Sequence, residues 1–366
     1  MIHTILPYEV TSLQPLLLEF FQTDILHLTF LELDGISHES WQTLKEKISN
    51  SIVKNNIKLI LVDRTGDPCL LNNKDEGYAP NNLTIQQELN KICRCLIITD
   101  DFTYYYKPNK NIIFFPYNLW IQSTKNIHKY YSFQDTVYDC KLEKTKSLMC
   151  LNRNLHWHRI FLFSLIAEKS WFNKINYSFL HNITKRLESQ HGIKKFLTPE
   201  ECDLARSYDY MLPINLQDEP MTKDIPIMYH SGASSVNGKS YAETAINLVT
   251  ETSLSEGVDL TEKTCKPFMA YQIPIILGPV GANKFLEDIG LDMFSDYIPW
   301  KTWDSETDHK LKMRKIVDFL DQLLSSSTAE QDILAAHQSF YPRLIKNKEY
   351  FHSKELENIL LAQIKS

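Results

Sequence analysis

The chain has 366 residues, of which 43% are hydrophobic and 23% charged, with a formal net charge of −6. That length exceeds the usual size of one domain, so two packed domains are expected. With only 10 glycines and no repeat at a fixed period it is neither a low-complexity nor a solenoid chain, and the negative balance leaves no overall basic field for nucleic acid.

The start, MIHTILPYEV, has neither a basic n-region nor a long apolar core, so no signal peptide is expected. The most apolar window, 160–166, is too short to span a bilayer. The seven cysteines are scattered, and the close pair Cys93 and Cys95 has neither zinc-knuckle nor redox spacing. These features predict a cytoplasmic, reducing setting.

In chain order, ILHLTFLEL (25–33) is rich in β-formers. ESWQTLKEKISNSIVKN follows with helical spacing, placing Trp41, Leu44, Ile48 and Ile52 on one face. IKLILVD (57–63) is a short buried strand, and NLTIQQELNKI reads as a helix with Asn82 as its N-cap. CRCLIITDD (93–101) and NIIFFP (111–116) are further strands. Short apolar strands separated by helices are the pattern of a parallel sheet covered on both faces.

The polar, Tyr- and Lys-rich segment 123–146 is the candidate connection between domains. A second series then begins: strand KSLMCL, loop NRNLHWHR, helix IFLFSLIAEKSWF and strand INYSFL. The apolar strand INLVTE ends in Glu251. A helix LTEKTCKPFMAY follows with Thr261 as N-cap, then a strand closing in GPVGA, and the tail from 308 onward is helical in pattern. The expected fold class is α/β, two Rossmann-like domains facing a cleft with a helical C-terminus. The expected boundaries are 1–140, 141–330 and 331–366, the last segment bracing the other two.

Glu251 falls at the carboxyl end of a strand, where open α/β sheets place their ligands. Glu262 and Lys263 fall in a first helical turn, where free N–H groups and the dipole favour phosphate. The same pair would equally complement the dipole and face solvent. Arg153 lies at another strand end, with His158 and Arg159 in the next helix. A guanidinium suits a diphosphate because it pairs two oxygens at once; salt-bridged or packing roles are the alternative. Gly278, Pro279 and Gly281 make a tight strand-to-helix turn. The run TYYYKPNKN (103–111) reads as an edge strand, a sugar-stacking surface or a single-strand binder.

The ordered pattern VTET, LTEKTCKP and YQIPIILGPVGANKFLEDIG resembles the donor-binding half of GT-B glycosyltransferases, closest to the α1,3-fucosyltransferase type. It is similar as well to bacterial and phage proteins carrying T-E-K-T-x-K-P, which share an N-R-x-x-x-x-H-R arrangement. The resemblance covers 146–314 and reaches the first half only by architecture. It implies that Glu262 binds the donor ribose and Lys263 the diphosphate, that Arg153 reaches the diphosphate with His158 and Arg159 beside it, and that Glu251 and Gly278 border the donor pocket. Thr252 stands where fucosyltransferases have asparagine, which leaves the sugar open.

An inverting transfer needs a carboxylate to take the acceptor hydroxyl's proton. Asp63, Asp67, Asp100 and Asp101 fall at strand ends of the first half, and TGDP echoes the family's G-E-N-x-x-P stretch, favouring Asp67. Each is also a residue type that commonly forms turns. No metal pair is visible, so a metal-free, cofactor-free transfer from a GDP- or UDP-linked sugar is expected. The acceptor is a glycan, a lipid-linked sugar or another hydroxyl compound, with peripheral membrane association in the lipid-linked case. The alternatives are glycosylation of modified DNA bases and non-catalytic nucleotide-sugar binding.

Overall fold

The computed structural model describes residues 2–4, 25–29, 38–64, 82–99, 104, 109–116, 119, 140–152, 156–179, 182–189, 195–212, 214, 239–254 and 260–365. The chain is α/β and divides into two units, each with its own parallel sheet.

The first sheet runs in sequence order: β1 (Ile2–Thr4), β2 (Ile25–Thr29), β3 (Leu59–Arg64), β4 (Cys95–Thr99) and β5 (Ile112–Phe114), all parallel. Sequential order with right-handed crossovers returns each connecting helix to the same side. Accordingly α1 (His38–Asn55) and α2 (Asn82–Asn90) share one core with alternate strand residues Leu26, Leu28, Ile60, Val62, Cys95 and Ile97. The α1 face is the one its spacing predicts: Trp41, Leu44 and Ile48 are buried and Ile52 lies at the margin. A polar pin joins the helices, Trp41 Nε1 and Lys45 Nζ donating to Glu88 at 2.6 and 2.8 Å. Asn56 ends α1 with φ 51°, a left-handed position that asparagine tolerates. The intervening residues Leu61, Leu96, Ile98 and Ile113 are buried as well, so this sheet is covered on both faces.

The second sheet has the order β7-β6-β8-β9, with β6 (Lys146–Asn152), β7 (Asn176–Phe179), β8 (Thr244–Thr250) and β9 (Ile273–Leu277), again all parallel. The chain leaves β6 toward one side to form β7 and later returns to its other side as β8. The β6/β8 gap is therefore the topological switch point, where doubly wound sheets open a crevice at their carboxyl ends.

Helices α3 (Trp157–Ile166), α4 (Ile183–Ser189), α5 (Pro199–Ser207), α6 (Lys239–Glu243), α7 (Glu262–Met269) and α8 (Ala282–Asp288) connect or follow these strands. Then come α9 (His309–Leu324), α10 (Ala329–Ser339), α11 (Tyr341–His352) and α12 (Glu355–Lys365). The segment 331–366 is divided between the units. Its helices α10 and α11 group with the second sheet, while α12 groups with the first, near β5, and buries Leu356 and Leu360.

At the amino end of β9, two buried bases hold consecutive carbonyls. Lys144 Nζ donates to Ala270 O at 2.8 Å and to the carbonyls of Tyr241 and Ala242, while His337 Nε2 donates to Tyr271 O at 2.7 Å. Tyr271 is left-handed at φ 53°, a strained setting for a bulky residue, and its ring lies 4.1 Å from the Lys348 ammonium. This end of the sheet is braced by packing and hydrogen bonds, and the chemistry-bearing residues gather at the other end.

Candidate functional site

β8 is buried along its whole length and delivers Glu251 to the carboxyl edge at 0% exposure. A carboxylate taken out of water at that depth requires donors. Oε1 accepts from Thr261 N at 3.1 Å and from the Thr264 hydroxyl; Oε2 accepts from the Thr261 hydroxyl at 2.6 Å and from Thr252 N at 3.2 Å. Four donors match the four lone-pair directions of an ionised carboxylate. Three of them belong to the start of α7, so this side chain anchors a helix start that lies ten positions further along the chain, and a ligand hydroxyl could reach it only by displacing one.

Thr261 is the N-cap of α7, as its sequence position predicts, its hydroxyl also accepting from Lys263 N. The Lys263 ammonium returns over the same turn, donating at 3.1 Å to Thr261 Oγ1 and at 3.1 Å to Thr252 Oγ1. Glu251, Thr252, Thr261, Lys263 and Thr264 thus form one connected group. The side chain of Glu262 lies outside the described residues.

The backbone of Glu251 carries a second set of bonds. The β8–β9 ladder ends with Glu251 N donating to Leu277 O at 3.0 Å, in the register Thr250↔Leu277. The next ladder donor to Glu251 O would be residue 279, which is proline and has no N–H. That carbonyl instead accepts from His158 Nε2 at 2.9 Å and Arg159 Nη2 at 3.2 Å, and Arg159 also donates to Thr250 O at 2.9 Å. The first turn of α3 therefore reaches from the end of β6 to the end of β8, across the switch point. Asn152 makes the same crossing beneath it, accepting from Thr250 Oγ1 at 2.5 Å.

His158 and Arg159 are both buried. Burial holds the His158 imidazole well below its ordinary pKa, with the Arg159 and His156 charges acting in the same direction. The ring is neutral at physiological pH, and since a carbonyl can only accept, its proton is on Nε2. Neighbouring aromatics close over it: His156 stacks at 5.5 Å, Trp157 meets it edge-on at 5.7 Å, and Phe196 stacks on Trp157 at 5.1 Å.

The turn after β9 is tight for a reason visible in the packing. A Cβ on Gly278 would lie 3.2 Å from Ala282 Cβ and 3.6 Å from Glu251 Cγ. Gly281 has φ 76°, and Asp304 secures the helix that follows, its carboxylate accepting from Asn283 N at 3.0 Å and Lys284 N at 2.9 Å. Beneath the turn, the buried Lys312 of α9 donates to the carbonyls of Gly278, Asp304 and Pro279 at 3.2, 3.3 and 3.4 Å. Burial pulls its ammonium down to about 8, so it remains mostly charged at neutral pH.

The structure thus gathers Glu251, Lys263, His158, Arg159 and Gly278 at the carboxyl edge of one sheet. Asp63 stands one residue before the end of β3, paired in register with Ile98, and its side chain lies outside the described residues. Arg153, Asp67, Asp100 and Asp101 lie outside them altogether. From the aromatic run only Tyr104 and positions 109–111 are described, and Tyr104 packs against the core of the first unit.

Thr264, Asp304 and Lys312 had not been singled out from the sequence, and Thr252 only as a departure from the fucosyltransferase pattern. A signal existed for two of them. Thr264 repeats Thr261 at helical spacing, and Lys312 lies four, eight and twelve residues before the buried Ile316, Leu320 and Leu324, on the apolar stripe of α9.

Among the described residues, no group of three or more His, Cys, Asp or Glu side chains is placed to hold a metal ion, and no helix is long and apolar enough to cross a membrane. No protein-family model matches the chain, and no curated protein matches it either.

Proposed function

We propose that this chain is a glycosyltransferase of GT-B type that takes its sugar from a nucleoside-diphosphate donor held at the carboxyl edge of the second sheet. The observation that carries this reading is the position of Lys263: an ammonium on the first turn of the helix after β8, steadied by two threonine hydroxyls beside the switch point. A diphosphate brought there meets a held cation and a helix start. Arg153 would add a two-pronged contact from the end of β6, and Glu262 would take the ribose hydroxyls, as the family resemblance implies. The described His158 and Arg159 contacts are to the carbonyls of β8, so their part is to hold the two strand ends together beneath the donor.

In the transfer itself, the acceptor oxygen attacks the anomeric carbon as the bond to the diphosphate oxygen breaks, inverting that carbon. The acceptor's proton passes to a carboxylate of the first unit, with Asp67, Asp63 and Asp101 the candidates. The charge developing on the leaving diphosphate is met by Lys263 and Arg153.

Calorimetric titration with GDP, UDP and their sugar conjugates tests the reading. Wild-type protein should bind one nucleotide class, and Lys263→Ala should weaken that binding about tenfold or more while leaving the melting curve nearly unchanged. Equal affinity in the two proteins would remove the assignment.

A further inference from the structure

The side chain at the centre of the site is Glu251, and its surroundings assign it a task other than touching a ligand. We infer that Glu251 is a positioning residue: it fixes the direction of the Thr261 hydroxyl and thereby the seat of the Lys263 ammonium. The inference rests on the nucleotide-binding reading for its consequence, and on hydrogen-bond polarity for its substance.

A threonine hydroxyl has one proton and two lone pairs. At Thr261 the proton is given to Glu251 Oε2 at 2.6 Å. Both lone pairs are then left to accept, and the two groups in place to donate are Lys263 Nζ at 3.1 Å and Lys263 N at 3.4 Å. Were that hydroxyl free to rotate, its proton would oppose the ammonium for part of the time. The carboxylate thus sets an acceptor beneath the cation without itself contacting it. The same carboxylate takes Thr261 N on its other oxygen, so the cap backbone and the cap hydroxyl are located together.

This geometry explains why the residue is a glutamate and not its amide. Each carboxylate oxygen faces a backbone N–H, Thr261 N on one side and Thr252 N on the other. A glutamine would have to turn its NH2 group toward one of them, and a backbone donor cannot be reoriented to accept. With the NH2 on the Oε2 side, it would also donate to Thr261 Oγ1 and reverse the polarity on which Lys263 depends.

The test is a double-mutant cycle on the full chain with Glu251→Gln, Lys263→Ala and the pair combined, titrating GDP and UDP by calorimetry. Each single substitution should weaken binding about tenfold or more, and the double variant should bind within about threefold of the weaker single. Wild-type affinity in Glu251→Gln, or losses that multiply in the double variant, would overturn the inference, because a residue acting through Lys263 has nothing left to lose once the lysine is gone. Should Glu251→Gln fail to fold, Thr261→Val and Thr261→Ser carry the test: valine keeps the shape without the hydroxyl and should lose affinity, and serine should restore it. A serine variant as weak as the valine one would count against the role.

Failure of the functional reading has a separate signature. If the wild-type protein binds neither GDP nor UDP, the nucleotide assignment falls, and hydrogen exchange then decides the positioning role. Glu251→Gln should speed exchange at the Thr261 and Lys263 amides at least tenfold with the β6 and β8 amides unchanged; unaltered exchange at Thr261 would overturn it.

Discussion

Acidification should destabilise the second unit through His337 in a way that arithmetic can anticipate. The imidazole is buried, donates to the Tyr271 carbonyl and has Lys144 as a charged neighbour. Burial is the largest influence and, with the Lys144 charge, holds its pKa at about 4 against 6.5 for the free side chain, while the Tyr271 bond works in the opposite direction. Below 6.5 the unfolded chain takes up a proton that the folded chain refuses, so stability is intact above that value and declines as the pH falls toward 4. Linkage for one such group gives a loss of roughly 2 kcal/mol at pH 5 and roughly 3 kcal/mol at pH 4. The assay is urea unfolding of wild type and His337→Gln across that range. Glutamine can donate to the same carbonyl but does not titrate, so its profile isolates the histidine from the carboxylates that also protonate. The difference between the two proteins should shift in favour of the variant by those amounts as the pH drops. Parallel profiles would refute the reasoning.

Two further outcomes follow from the packing. Gly278→Ala forces a methyl group to 3.2 Å from Ala282 Cβ and toward Glu251, and should cost about 1 to 2 kcal/mol in thermal melts, with nucleotide affinity falling in parallel. Arg343 holds Asp292 through Nε and Nη2 at 2.6 and 2.7 Å, holds Asp296 through Nη1 and Nη2 at 2.8 Å each, and lies over the rings of Phe294 and Phe340. Arg343→Lys keeps the charge but loses the fork and the stacking, and should therefore destabilise by about 1 to 2 kcal/mol; a melting temperature equal to wild type would show these partly exposed pairs to be idle.

Much of the architecture is legible in local sequence. The spacing of Trp41, Leu44 and Ile48 sets the buried face of α1, the apolar Ile246, Leu248 and Val249 ahead of Thr250 mark a buried strand, and Thr261 announces the start of α7. These properties depend on periodicity and on capping chemistry, which act over a few residues. The strand β1 was not legible, because three residues at a sheet edge carry too little pattern.

What the sequence by itself determined, then, is the run of elements and the chemical types at the strand ends: an acid after β8, a lysine in the first turn of α7, a proline after β9. Only the tertiary structure decided what those groups do to one another. The acid is enclosed because the start of α7 lies against it, Thr261 and Thr264 donating to its two oxygens. The proline matters because strand register puts it where a ladder donor would have been, which leaves a carbonyl for His158 and Arg159. Lys312 belongs to the turn because α9 crosses beneath residues some thirty positions earlier in the chain. Hydrogen-bond partners are chosen by position in space, and a carboxylate that reads as a ligand contact in one dimension is, in three, the fixed point on which the neighbouring cation is set.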